Sequence, residues 1–194
     1  MSVEFVFPKI HSFPPLYTKQ PNATVLNNQL DTWCEILLDY CEHYKISSIS
    51  NSGKILYSQY DSIENIPPIF DNKDINRVVN DEFKSTIFRH LIQKLKRAEY
   101  KNPKSPDSGI ILYWKSISEW CSVLYGYVER SGQLGSILTV YELTQSSDSG
   151  LPDELKNIEY DLLVRVLKYL VKQGKAQILM ADDGTDQIGG VKIV

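Results

Sequence analysis

The chain has 194 residues, 42% of them hydrophobic and 23% charged, with a net charge of -3. That length and apolar content suit two compact domains of roughly 90 residues each and exclude general disorder. No run approaches the roughly 20 apolar residues of a membrane helix, and the stretch from Met1 to Pro15 lacks the basic start and apolar core of a signal peptide, so a cytoplasmic protein is expected.

The three cysteines, an odd number, argue against a disulfide framework and agree with a reducing compartment. The net charge hides a pattern. Residues 1 to 82 carry 6 basic and 11 acidic groups, residues 83 to 104 carry 7 and 1, and residues 105 to 194 carry 8 and 12. A basic island therefore lies inside an acidic protein.

In chain order, residues 1–22 hold four prolines and four aromatics without helical or alternating periodicity, which predicts an extended proline-rich arm. Asn22 is a plausible N-cap for a long helix to about Tyr44. In it Leu30, Trp33, Leu37, Tyr40, Cys41 and Tyr44 form one apolar stripe. Ile46 to Ser50 reads as a strand and Asn51-Ser52-Gly53 as a turn. Pro67-Pro68 predicts a short helix to about Val79, and Asn80 or Asp81 caps a helix over Glu82 to Arg97 with Phe83, Ile87, Leu91 and Leu95 inward. Ala98 to Asn102 and Ile110 to Trp114, separated by the breaker-rich Pro103 to Gly109, read as a hairpin. Helix, strand, helix, helix and hairpin is the layout of a winged-helix domain.

The order then repeats. Trp33-Cys34 with Leu37 and Tyr40 is echoed by Trp120-Cys121 with Leu124 and Tyr127, which points to an internal duplication. Ser136 to Val140 follows as a strand, Tyr141 to about Ser146 as a short helix, and Asn157 to Gln173 as a helix with Tyr160, Leu163, Leu167 and Leu170 inward and Gly174 at its end. Ala176 to Ala181 and Gly190 to Val194 form a closing hairpin. The third helices are less far apart in sequence than the first ones, so the first domain holds extra residues, expected between Gly53 and Ile66. The expected fold is α+β: an arm over 1–22 and two tandem winged-helix domains over 23–114 and 115–194.

Catalysis finds little support. The histidines His11, His43 and His90 are few, none sits in a nucleophile-base arrangement, and Cys41 near His43 has no second pair at zinc spacing. Gly53-Lys54 lacks the upstream glycine of a phosphate loop, and Asp182 to Asp186 reads as a tight turn rather than a calcium loop. No cofactor and no metal are expected. The basic island is a candidate contact surface: Lys84, Arg89, Lys94, Lys96 and Arg97, with Lys101 and Lys104, occupy the third helix and following hairpin, where a winged-helix DNA binder meets the groove and backbone. A solvated face or an acidic protein partner ranks above nucleic acid. The sharpest motif is Phe13-Pro14-Pro15-Leu16-Tyr17. Two prolines limit the entropy lost on docking, and Phe13, Leu16 and Tyr17 supply apolar anchors. The alternatives are an accidental motif in a disordered tail and an arm folded back on its own domain.

The run from Phe13 to Asn22, then Gln29-Leu30 with Trp33-Cys34, Trp120, Tyr127-Val128 with Arg130 to Gln133, and Val140 to Thr144 resembles the small-subunit family of the endosomal sorting complex ESCRT-II. The resemblance implies a non-catalytic scaffold with tandem winged helices, two copies of which join one copy each of two larger subunits. It implies that the arm docks to those subunits through Pro14, Pro15 and Tyr17, with Phe13 and Leu16 beside them. It further implies that the second domain recruits the initiating ESCRT-III subunit, charged multivesicular body protein six, and that the protein is recruited peripherally to endosomal membranes. Some relatives carry a second proline-aromatic motif upstream, of which only Phe7-Pro8 remains here. A DNA-binding or transcription-associated winged-helix protein is the alternative.

Overall fold

The computed structural model describes residues 4–60, 63–147 and 150–194. The chain divides into two compact units, Met1–Trp114 and Lys115–Val194.

In the first unit, helix α1 spans Ala23–His43, and the Asn22 side chain accepts from the amides of Thr24 and Val25 at 3.0 and 3.1 Å. Its inward stripe includes Leu30, Trp33, Cys34, Leu37, Tyr40 and Cys41, all buried. Lys45, with φ 51°, turns the chain into strand β1, Ile46–Ile49, buried at every position. β1 pairs antiparallel with β2, Ile55–Ser58, on one side and with β6, Ile110–Leu112, on the other. With β5, Ala98–Tyr100, the sheet order is β2-β1-β6-β5.

Two expectations need correction here. The helix predicted from Pro67-Pro68 is instead a small antiparallel ribbon of β3, Asp71–Asn72, and β4, Arg77–Val78. Neighbouring Ile69 and Phe70 are both driven into the core, which suits extended backbone, and Asn76 at φ 51° supplies the left-handed turn. Helix α2 spans Asp81–Gln93, with the Asn80 side chain capping the Phe83 amide at 2.8 Å. It stops short of Arg97 because Lys96 is left-handed, φ 55°, and Leu95 is exposed rather than inward. The stretch from Gly53 to Ile66 contains β2 and a 3-10 turn at Ile63–Asn65; residues 61 and 62 lie outside the described residues.

The second unit runs α3, Ile117–Arg130; β7, Ile137–Leu138; α4, Val140–Thr144; α5, Tyr160–Lys172; β8, Ala176–Met180; and β9, Ile188–Ile193. Capping boxes start α3, from Ser116 and Glu119, and α4, from Thr139 and Glu142. Gly174, φ 70°, ends α5 while the Lys175 amide returns to the Leu170 carbonyl at 2.9 Å. α5 begins at Tyr160 rather than Asn157 because Asn157 is left-handed, φ 54°. Tyr160 is half-exposed rather than inward, its hydroxyl accepting the Ile188 amide at 3.0 Å. Leu163, Leu167 and Leu170 are buried as expected, and Leu162 and Val166 complete the core face.

The sheet order β7-β9-β8 reproduces β1-β6-β5, so β2 and the β3-β4 ribbon are the strands without a counterpart among the described residues. The paired Trp-Cys motifs occupy equivalent places. Trp33 and Trp120 are both fully buried. The Cys34 thiol donates to the Ile87 carbonyl of α2 at 3.8 Å, and the Cys121 thiol to the Val166 carbonyl of α5 at 3.5 Å. Burial, the leading cause in both, pushes these thiols up to about 12 and about 11, so they pack as small apolar groups rather than as nucleophiles. Each unit is a winged helix, and the whole is a tandem winged-helix α+β fold.

Candidate docking site on the amino-terminal arm

The arm is not extended away from the domain. It forms two 3-10 turns, Lys9–Ser12 and Pro14–Tyr17, laid on the first unit. Proline at the first positions of the second turn has a φ that a 3-10 turn and a polyproline segment share, and here the motif takes the turn.

A turn sends consecutive side chains in different directions, and this one sorts the five motif residues. Leu16 and Tyr17 point inward, 5% and 4% exposed, while Phe13, Pro14 and Pro15 face outward. Phe13 is 52% exposed and heads the apolar ridge of three consecutive outward residues, while Val6, Pro8 and Ile10 upstream on the arm are exposed as well.

The inner side of the arm is fastened polar group by polar group. The Trp33 indole Nε1 donates to the Leu16 carbonyl at 2.8 Å. Gln29 Nε2 donates to the carbonyls of Pro15, Leu16 and Thr18 at 3.1, 3.0 and 2.8 Å, and Gln29 Oε1 accepts the Gln20 amide at 3.2 Å. The Tyr17 hydroxyl donates to the His11 carbonyl at 2.8 Å, and burial raises its pKa. Its ring meets Trp33 edge-on at 5.3 Å. Upstream, Phe5 and Phe7 join Tyr40 in an aromatic cluster, so Phe7 sits against α1 while Pro8 is exposed. Buried backbone carbonyls in a short turn need donors, and α1 supplies them.

The basic residues divide between structural partners and solvent, and Arg89 and Lys94 line one shallow concavity with Leu30 and His90. Lys84 Nζ lies 3.1 Å from Asp81 Oδ1 and over the Phe70 ring at 5.9 Å. Arg97 donates through Nε and Nη2 to the carbonyls of Tyr113 and Trp114, both at 2.7 Å, closing the base of the wing. Lys94 bonds Asn27 Oδ1 of α1. Arg89 and Lys96 face solvent, one on α2 and one in the turn after it. The first turn of α2, which a DNA-reading helix would aim at phosphates, carries Asp81 and Glu82.

A family model described as ESCRT-II complex subunit matches residues 10–159, which include all but the first residue of the arm's two turns and run to the edge of α5. The chain belongs to the ESCRT-II complex subunit family. Relatives include vacuolar protein-sorting-associated protein 25 of Homo sapiens, 32% identical over 95% of this chain and 97% of that protein. The protein of the same name from Danio rerio is 31% identical over 94% of this chain and 97% of its own length. The crystal structure of subunit VPS25 of the endosomal trafficking complex ESCRT-II superposes with a TM-score of 0.80 and 28% identity, covering 97% of this chain and 98% of that one. A chain in the crystal structure of the endosomal complex ESCRT-II (VPS22/VPS25/VPS36) gives a TM-score of 0.78 at 27% identity, covering 97% and 98%.

Within this ESCRT-II family fold, the residues that sequence inspection passes over are those that fasten the arm. Gln29 and Trp33 read as part of a helix motif and a core stripe, His11 as one of three histidines outside any catalytic arrangement, and Asn72 falls within the helix expected after Pro67-Pro68. The signal that could have found Gln29 is its place: a buried polar residue on the apolar side of an amphipathic helix needs partners, and they are the arm's carbonyls.

Proposed function

We propose that this chain is a non-catalytic scaffold subunit of an ESCRT-II assembly that sorts ubiquitinated membrane cargo into multivesicular bodies. It docks to the two larger subunits with its arm. The observation that carries this reading is the apolar ridge of Phe13, Pro14 and Pro15, held outward on a turn whose inner side is fully bonded. Such a ridge is already ordered, so a groove that receives it recovers apolar burial without the cost of freezing a flexible tail. Leu16 and Tyr17 serve as the posts on which the contact residues stand.

The second winged helix recruits the initiating ESCRT-III subunit, and the assembled complex reaches the endosomal membrane from the cytoplasm as a peripheral protein. The family membership and the relatives named for vacuolar protein sorting support a subunit's part in sorting, and no helix among the described residues is long and apolar enough to cross a membrane. Purely scaffolding work asks for surfaces rather than a perturbed acid-base pair, and the buried thiols with raised pKa values suit such a role.

Reconstitution with the two larger subunits tests the reading by the mass of the intact complex. Two copies of this chain per copy of each larger subunit are expected. A complex that forms at full occupancy without this chain, or one that holds a single copy, overturns it.

A further inference from the structure

The arm carries one imidazole whose protonation state is dictated by its neighbours. His11 is 4% exposed, and its ring stacks on Phe7 at 4.1 Å and meets Tyr17 and Trp33 edge-on at 5.7 and 5.9 Å. His11 Nε2 lies 2.9 Å from the Ile69 carbonyl, which can only accept, so Nε2 carries the proton. Nδ1 faces Asn72 Nδ2 at 3.3 Å. That amide is not free to turn, because Asn72 Nδ2 also donates to the His11 carbonyl at 3.1 Å and Asn72 Oδ1 accepts the Asp74 amide at 3.1 Å. Nδ1 is therefore an acceptor, and the ring is required to be neutral.

We propose that His11 is a proton-sensitive latch that holds the arm against the β3-β4 ribbon while its ring is neutral and loosens it when the ring is protonated. A second proton on Nδ1 would confront the Asn72 amide donor head-on. Relieving that clash means turning Asn72, which breaks its bonds to Asp74 and to the His11 backbone, or lifting the 3-10 turn away. The charged groups bordering the site are Glu4 from the arm and Asp71, Lys73 and Asp74 from the ribbon, while α1 presents the uncharged Trp33 indole. Burial lowers the His11 pKa and the Ile69 carbonyl raises it, burial being the larger effect.

The sign follows from that direction. With its pKa lowered in the docked arm, His11 leaves docking at full strength above the ordinary histidine value of about 6.5 and weakens it progressively as the pH falls below that value, because the released arm binds the proton more readily. The latch is a property of this chain alone and does not depend on what the ridge docks to.

The test is a two-dimensional NMR titration of the full chain from about pH 8 to about pH 5, following the His11 ring and the Trp33 indole N–H that bonds the Leu16 carbonyl. His11 should titrate below about 6.5, the Trp33 signal should shift or broaden with the same midpoint, and the Trp33 response should vanish in His11→Gln. The proposal fails if His11 titrates at or above that value, if Trp33 does not follow it, or if the response persists in His11→Gln. Should His11→Gln not fold, Asn72→Asp decides: a carboxylate beside Nδ1 should raise the His11 midpoint above that of the wild type, and an unchanged midpoint sinks the latch.

Discussion

Gln29 does more for the arm than any other polar side chain, because one amide nitrogen serves three carbonyls and its oxygen receives a backbone amide in return. Removing it leaves the Leu16 carbonyl with its Trp33 partner and the Pro15 and Thr18 carbonyls with Gln20 Nε2, but it takes away the tie from α1 to Pro15 and Thr18. Gln29→Ala should cost about 1 kcal/mol in urea unfolding and expose the bonds after Lys9 and Lys19 to trypsin while α1 stays helical. Sequence inspection singled out Phe13 to Tyr17 as one set of anchors, and at this scale it was half legible. The five residues are apolar and contiguous, so their importance is readable; which of them face water depends on a 3-10 turn that two prolines permit but do not compel.

Among the elements, the long amphipathic helices and their Asn22 and Asn80 caps were readable because period and cap chemistry agree over many residues. The β3-β4 ribbon was not, since strands of two residues carry no period and the preceding prolines suit a helix start equally well. The basic island shows how charge along a chain loses meaning once the helix ends early. Arg97 became a strut for the wing and Lys84 a partner of Asp81, which no count of lysines and arginines could reveal. Arg97→Ala should therefore lower stability by roughly 2–4 kcal/mol through two lost charge-assisted bonds to carbonyls, measurable by urea unfolding. Duplex DNA binding at low salt should be weak and unaltered by replacing Lys96, whereas a DNA-binding surface would lose affinity and salt slope together.

For the whole molecule, the Trp-Cys echo made the duplication visible, and the equivalent thiol-to-carbonyl bonds from Cys34 and Cys121 give it a physical meaning: each cysteine sits where the first helix of its unit touches the last. The extra strand β2 was not legible because it is a short edge strand with mixed burial. The central claim is that the arm works as a prefastened ridge, with its outer residues for the partner and its inner ones for its own domain. Calorimetric titration of the larger ESCRT-II subunits with this chain and its Phe13→Ala, Pro15→Ala double variant tests it most directly. The account predicts at least about a tenfold loss of affinity, about 1.4 kcal/mol, with the urea midpoint unchanged. Wild-type affinity in a folded double variant would contradict it.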